Sequence, residues 1–253
     1  MLRGWCSNTF LYALGTMVLS DEEQRIQADA LAFAKESRRA VARRLTDKSI
    51  YVSEENPVSV FMAGSPGAGK TEASIELIAK IGTPVIRIDP DELRNECPGY
   101  CGANAYLFQS AVSVLVEKIH DEALEQRQSF LLDGTLSNYR RARQNIERSL
   151  GRKRTVQLLY VYQEPRLAWE FVQAREAVEG RRIPTEQFVE QYFAAREVAN
   201  QLKAELGKAI KLDLLLKNND NSNRLYQAGV DRIDNHIPEK YSRAEVEQML
   251  ERL

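Results

Sequence analysis

Apolar residues fall into two rhythms along this chain. Short runs without clean polar alternation occupy residues 58–63, 84–88, 129–132, 156–162 and 210–216. They are bulky or β-branched, as expected of strands covered on both faces. Between them, apolar positions recur every three to four residues and predict helices over 71–81, 106–127, 139–150, 167–178 and 185–206. This alternation predicts βαβ units, hence an α/β fold with a parallel sheet of about five strands flanked by helices.

A further helix is expected over residues 20–45, with Ile26, Ala30, Leu31, Ala34, Val41 and Leu45 as its apolar stripe. Ser20 caps it, Asp21, Glu22 and Glu23 fill its first turn, and Arg38, Arg39, Arg43 and Arg44 crowd its end. The last strand leads into a polar turn, residues 219–223, and a final helix is expected over 242–253. Residues 2–19 are mildly apolar but broken by Cys6, Ser7, Asn8, Gly15 and Thr16. That run is too short to span a bilayer and lacks a small-residue cleavage site, so no membrane partner is expected. Met17, just ahead of the capped helix, reads as an alternative start.

Charge narrows the picture. With 35 basic and 36 acidic residues the net charge is −1, which argues against nucleic-acid binding through bulk charge. An anionic small molecule would need a local basic cluster. Three cysteines form no disulfide framework, which suits a reducing cytoplasm. The two histidines, His120 and His236, have no neighbouring ligands that would make a zinc site.

The strongest chemical signal is Gly64-Ser65-Pro66-Gly67-Ala68-Gly69-Lys70-Thr71, which fits G-x-x-x-x-G-K-[ST] between a strand and a helix. Glycines let the backbone curl so that its N–H groups face phosphate oxygens, and the helix N-terminus adds a favourable field. Lys70 is expected to reach the β and γ phosphates of ATP or GTP, and Thr71 to take one magnesium position. On this loop the chain divides into a helical extension, 1–50, and a P-loop kinase domain, 51–253.

Three more segments point to phosphoryl transfer. Asp89, Asp91 and Arg94 follow the second strand, at the end where ligands sit in parallel sheets. Asp91 there can accept a proton from an attacking hydroxyl, and Asp89 and Arg94 are candidate substrate contacts. Asp89 reads equally well as a cap or turn residue. Asp133 closes the third strand as a magnesium ligand would, although Asp-Gly is also turn chemistry. Arg175, Arg181 and Arg182 lie in a Gly-containing connection, 175–184, where a mobile lid would stabilise the transferring charge. No Asn-Lys-x-Asp guanine reader is visible; Lys217-Asn218-Asn219-Asp220 has the letters in the wrong order.

Together these motifs resemble the zeta toxin family, P-loop kinases of bacterial toxin–antitoxin systems. The resemblance spans 58–216 and rests on the P-loop, Ile88-Asp89-Pro90-Asp91, Asp133-Gly134-Thr135, and Arg175 with Arg181-Arg182-Ile183-Pro184. It implies transfer to the 3′-hydroxyl of the amino sugar in UDP-N-acetylglucosamine, and an antitoxin protein as partner. It also implies Asp91 as general base, Lys70 as phosphate lysine, and Thr135 and Glu117 as substrate contacts. Arg175 and Arg181 become the nucleotide clamp, with Arg182 a rival for the second place. The chain departs from the family pattern at Asp133, where many members carry Glu, and at Ser137, which stands where an arginine is expected and for which Arg140 or Arg141 would have to compensate. Two alternatives therefore stay open: the same chemistry on a nucleotide cofactor or antibiotic, or a nucleotide-sensing protein that transfers nothing.

Overall fold

A computed structural model describes residues 19–252. The broken apolar run up to residue 18, and Met17 within it, lie outside the described residues. Strand β1 (Val58–Ala63) is central, and its register shows why the apolar runs do not alternate with polar residues. Phe61 and Ala63 enter the main core on one face, while Val60 and Met62 enter a smaller core on the other. Both faces are dry, so the strand is apolar except for Ser59, which is buried and accepts from Arg154 Nε–H at 2.7 Å. The neighbours follow the same logic: β2 (Ile86–Ile88), β3 (Phe130–Leu132), β4 (Thr155–Tyr162) and β5 (Ile210–Lys217).

The sheet has six strands, in the order β2-β3-β1-β4-β5-β6, rather than about five. The added strand, β6 (Asn223–Gln227), pairs antiparallel with β5 at the edge. Nearly all of it is exposed, so it carries no apolar pattern, and the polar turn expected over 219–223 runs straight into it. The edge strand β2 starts two residues later than expected, after Pro84, which has no N–H for the ladder.

Helix α1 (Asp21–Leu45) opens on a full capping box between Ser20 and Glu23. It lies along α3 (Gln109–Glu125), and its fully buried Ala30 and Ala34 join the main core. The expected start of α3 at 106 is instead a 3-10 turn, Ala105–Phe108. Helix α2 (Lys70–Ile81) covers the smaller core. Helices α4 (Tyr139–Leu150) and α6 (Thr185–Leu206) match expectation, and α7 (Arg243–Leu250) is shorter. Helix α5 (Pro165–Glu179) starts early because Glu164 caps it by accepting from Leu167 N–H, with Pro165 as its first residue. Among the described residues no helix is long and apolar enough to cross a membrane.

Because β1 to β5 run parallel, the segments that follow them gather along one edge of the sheet. The P-loop, the Asp89 step, Asp133 and Lys217 all arrive there.

Candidate active site

The loop from Gly64 to Thr71 is held from several sides. Gly64 N–H donates to the Thr135 carbonyl at 3.2 Å, tying the loop to the segment after β3. Gly67 has φ +70°, and a Cβ there would collide with the Ala168 carbonyl oxygen of α5. Gly69 has φ +80° and caps α2 without any side-chain hydrogen bond. No side chain caps the first N–H groups of α2, which open on the loop and could therefore meet an anion. The β5–β6 turn leans on Gly69 through Asn221 and the Lys217 side chain.

Lys70 Nζ donates to the carbonyls of Gly64 at 3.1 Å and Ser65 at 2.6 Å. Burial pulls its pKa down to about 8; Asp133 and Asp91 work against that, while Arg175 and Arg181 add to it. Its charge is therefore poorly satisfied by the protein alone, as a phosphate-binding lysine requires. The Thr71 side chain is half-buried beside it.

Asp91 is where the expected residues converge. Its carboxylate pairs with Arg94 and with Arg181, and Arg175 lies 3.8 Å away. Burial alone would raise the Asp91 pKa, but Arg181 and Arg94 outweigh it and hold the group below its ordinary value. Four of the residues expected from the sequence thus meet, from the β2 step, α5 and the α5–α6 connection. Arg182, by contrast, is exposed and makes no ion pair with Asp91.

Asp133 and Asp89 lie deeper. Asp133 Oδ2 accepts from Ser74 Oγ at 3.0 Å and from Arg87 at 2.8 Å. Asp89 pairs with Arg87 as well, and its Oδ1 accepts the Asp91 N–H at 2.7 Å, so the turn role weighed for it is present. Burial, then the nearby Asp133 charge, raises Asp89 to about 6, against the pull of Arg87. The Thr135 hydroxyl shares a 2.9 Å hydrogen bond with Ser137, on either side of Leu136, whose φ is +57°. A leucine in the left-handed region is strained by about 1 kcal/mol, a feature that clusters at functional sites.

Glu117 is not brought to this cluster. Its spacing ahead of β3 suggested a substrate contact, but it sits mid-way along α3 on an exposed face. There its charge acts on Arg148, in the last turn of α4. The departure at Ser137 is not filled by Arg141, which donates to Ser113 on α3 at 3.3 Å.

The residue missed in the sequence is Arg87. A charged side chain inside the apolar Ile86-Arg87-Ile88 run was the available signal, because a buried charge must find partners. Ser74 carried no such signal.

Magnesium fits this donor set in a limited way. Thr71 and Asp133 could offer oxygen atoms, but one Asp133 oxygen is already engaged by Ser74 and Arg87. Among the described residues no group of three or more His, Cys, Asp or Glu could hold a metal. Such a site suits a hard cation that brings most of its ligands as phosphates and water.

The parallel sheet, the phosphate loop at its edge and the carboxylate beside that loop define a P-loop kinase-like nucleotide-binding fold. The family model described as Zeta toxin matches residues 41–231, most of the chain, and the chain belongs to that family. A solved structure from the PezAT chromosomal toxin–antitoxin system of Streptococcus pneumoniae is similar, with TM-score 0.61 and 16% identity, over 92% of this chain and 94% of that one. The AvrRxo1-ORF1:AvrRxo1-ORF2 complex with sulphate ions matches at TM-score 0.55 and 16% identity, over 85% and 72% of the two chains. The same complex with ATP matches at TM-score 0.52 and 16% identity, over 85% and 73%. No curated protein matches the sequence significantly.

Proposed function

We propose that this chain is an ATP- or GTP-dependent kinase that transfers the γ-phosphoryl group to a sugar hydroxyl, the 3′-hydroxyl of UDP-N-acetylglucosamine. The observation that carries the reading is the meeting of Asp91, Arg175 and Arg181 beside Lys70 and the P-loop. Family membership supports it, as does the ATP held by the AvrRxo1 complex.

Asp91 is the base: it takes the acceptor's proton as the hydroxyl oxygen bonds to the γ-phosphorus and the bond to the β-phosphate oxygen breaks. While Arg181 and Arg94 clasp it, Asp91 is a weak base. Phosphate oxygens compete for Arg175 and Arg181, and as those arginines turn to the triphosphate Asp91 regains basicity. Lys70 leaves the loop carbonyls for the β and γ phosphates. Bound magnesium, held by Thr71 and Asp133, would neutralise charge between those phosphates. Arg94, buried and with its Nε lacking a partner among the described residues, stays beside Asp91 as a donor to the acceptor, together with Thr135. Asp89 supports this step from beneath. The kinase domain is 51–253 and the extension 1–50; the protein works in the cytoplasm, and an antitoxin is its protein partner, as in the PezAT system.

The test is transfer from γ-labelled ATP or GTP with magnesium, offered UDP-N-acetylglucosamine and, separately, a metabolite extract. A labelled sugar nucleotide is expected. Asp91→Ala should cut transfer by about 10² to 10⁴-fold and leave nucleotide affinity intact. Label in another compound would replace the acceptor; no binding of either nucleotide by calorimetry would remove the kinase reading.

A further inference from the structure

Arg87 has no role in the chemistry above, yet its guanidinium is the most connected group near the site. Register places it beside Leu131, on the sheet face covered by α2, while its neighbours Ile86 and Ile88 enter the opposite core. Its side chain is only 12% exposed. The Nε donates to Ser74 Oγ of α2 at 2.8 Å, and one terminal nitrogen donates to Glu92 at 2.5 Å. The other terminal nitrogen bonds both Asp133 Oδ2, at 2.8 Å, and Asp89 Oδ2. Asp89 in turn holds the Asp91 N–H through its second oxygen, at 2.7 Å.

These contacts form one path. It begins on the helix that opens at the phosphate loop, passes through the planar fork of Arg87, and ends on the backbone of the proposed base. Only an arginine presents donors in three directions within one rigid plane; a lysine ammonium could keep the charge but not all these bonds.

We infer that Arg87 is the positioning residue of this site, locking the Asp89–Asp91 step against the P-loop helix so that the base meets the transferring phosphoryl group in line. The inference rests on the kinase reading for its kinetic consequence, but not for its structural one. Misplacing a reacting group by about 1 Å costs on the order of 10²-fold in rate while leaving substrate binding largely unchanged. Arg87 touches neither the P-loop backbone nor Lys70, so affinity for the nucleotide without magnesium should be nearly independent of it.

The experiment compares wild type, Arg87→Lys, Asp89→Asn and the double variant. Expected for Arg87→Lys is a kcat lowered by about 100-fold, a Kd for magnesium-free nucleotide within about threefold of wild type, and little further loss when Asp89→Asn is added. Amide exchange at Asp91 should rise by at least about tenfold, because its acceptor is no longer fixed. Asp89→Asn is the milder change and should show the same selective loss even if Arg87→Lys folds poorly. The inference is overturned by a wild-type kcat in Arg87→Lys, by additive effects in the double variant, or by unchanged Asp91 exchange. If wild type itself transfers no phosphate, the kinase reading fails, and amide exchange alone still decides whether Arg87 holds the step.

Discussion

Lys70 and Asp91 sit close enough for each charge to act on the other, and their proton affinities are both displaced. For Lys70 the displacement can be read directly. With a pKa of about 8 in the free chain, it is charged at pH 6.5 and partly neutral at pH 8.5. Phosphate oxygens favour the ammonium form, so nucleotide binding should draw in a proton above pH 8 and none at pH 6.5. Affinity should therefore weaken as pH rises through 8. Calorimetry at pH 8.5 in buffers of different ionisation heat will show it: the apparent enthalpy should change with the buffer, and should stop doing so in Lys70→Met. Identical enthalpies in every buffer would contradict the burial argument. Lys70, Thr71 and Asp91 stand out in the sequence because each proposed chemistry needs a particular side chain at a particular spacing. Glu117 lies exposed near Arg148 rather than at the site; distance along a helix does not say which way the helix is turned.

Between elements, contact matters more than identity. The P-loop is wedged between β4 and α5, and Gly67 is where α5 comes closest. Gly67→Ala would place a methyl group against the Ala168 carbonyl at a backbone angle L-residues rarely adopt. The loop must then move away from α5, so nucleotide affinity should fall at least about tenfold and the melting temperature should drop; titration calorimetry and a thermal melt would measure both. Unchanged affinity would mean that the loop does not need this seat. The same scale explains what the apolar pattern could and could not reveal. The extents of β1, α4 and α6 were predicted because local periodicity and caps decide them. The start of α3 became a 3-10 turn although Ala105, Leu107 and Phe108 are apolar and buried, because apolar spacing does not distinguish i+3 from i+4 hydrogen bonding. Strand β6 has no apolar signature and exists because β5 offers it an unpaired edge.

At the scale of the molecule, α1, α3, α6 and the sheet share one core, and His120 of α3 is buried against it. His120 packs edge-on against Phe130 at 4.8 Å and Phe61 at 6.2 Å. Burial, then the charges of Arg148, Arg154 and Arg152, lowers its pKa to about 3. Its folded value lies below the unfolded one, so the unfolded chain binds the proton first as pH falls. Stability from this group is full above about pH 6.5 and is lost progressively towards pH 3, by up to about 1.4 kcal/mol per pH unit. Urea melts at pH 7 and 4.5 should separate by less in His120→Phe than in wild type; an equal separation would show that other groups govern acid sensitivity.

By itself the sequence determined the strand–loop–helix that cradles phosphate, the α/β alternation around it, and the types of side chain offered for transfer. All of these depend on neighbours within a turn or two of chain. Tertiary structure alone decided that Asp91 meets Arg181 across ninety residues, that Arg87 links α2 to the Asp89 step, and that Glu117 stays outside. Such meetings follow from the order of strands in the sheet and the rotation of each helix. Those are set by how the two cores close, and no stretch of sequence contains that information locally.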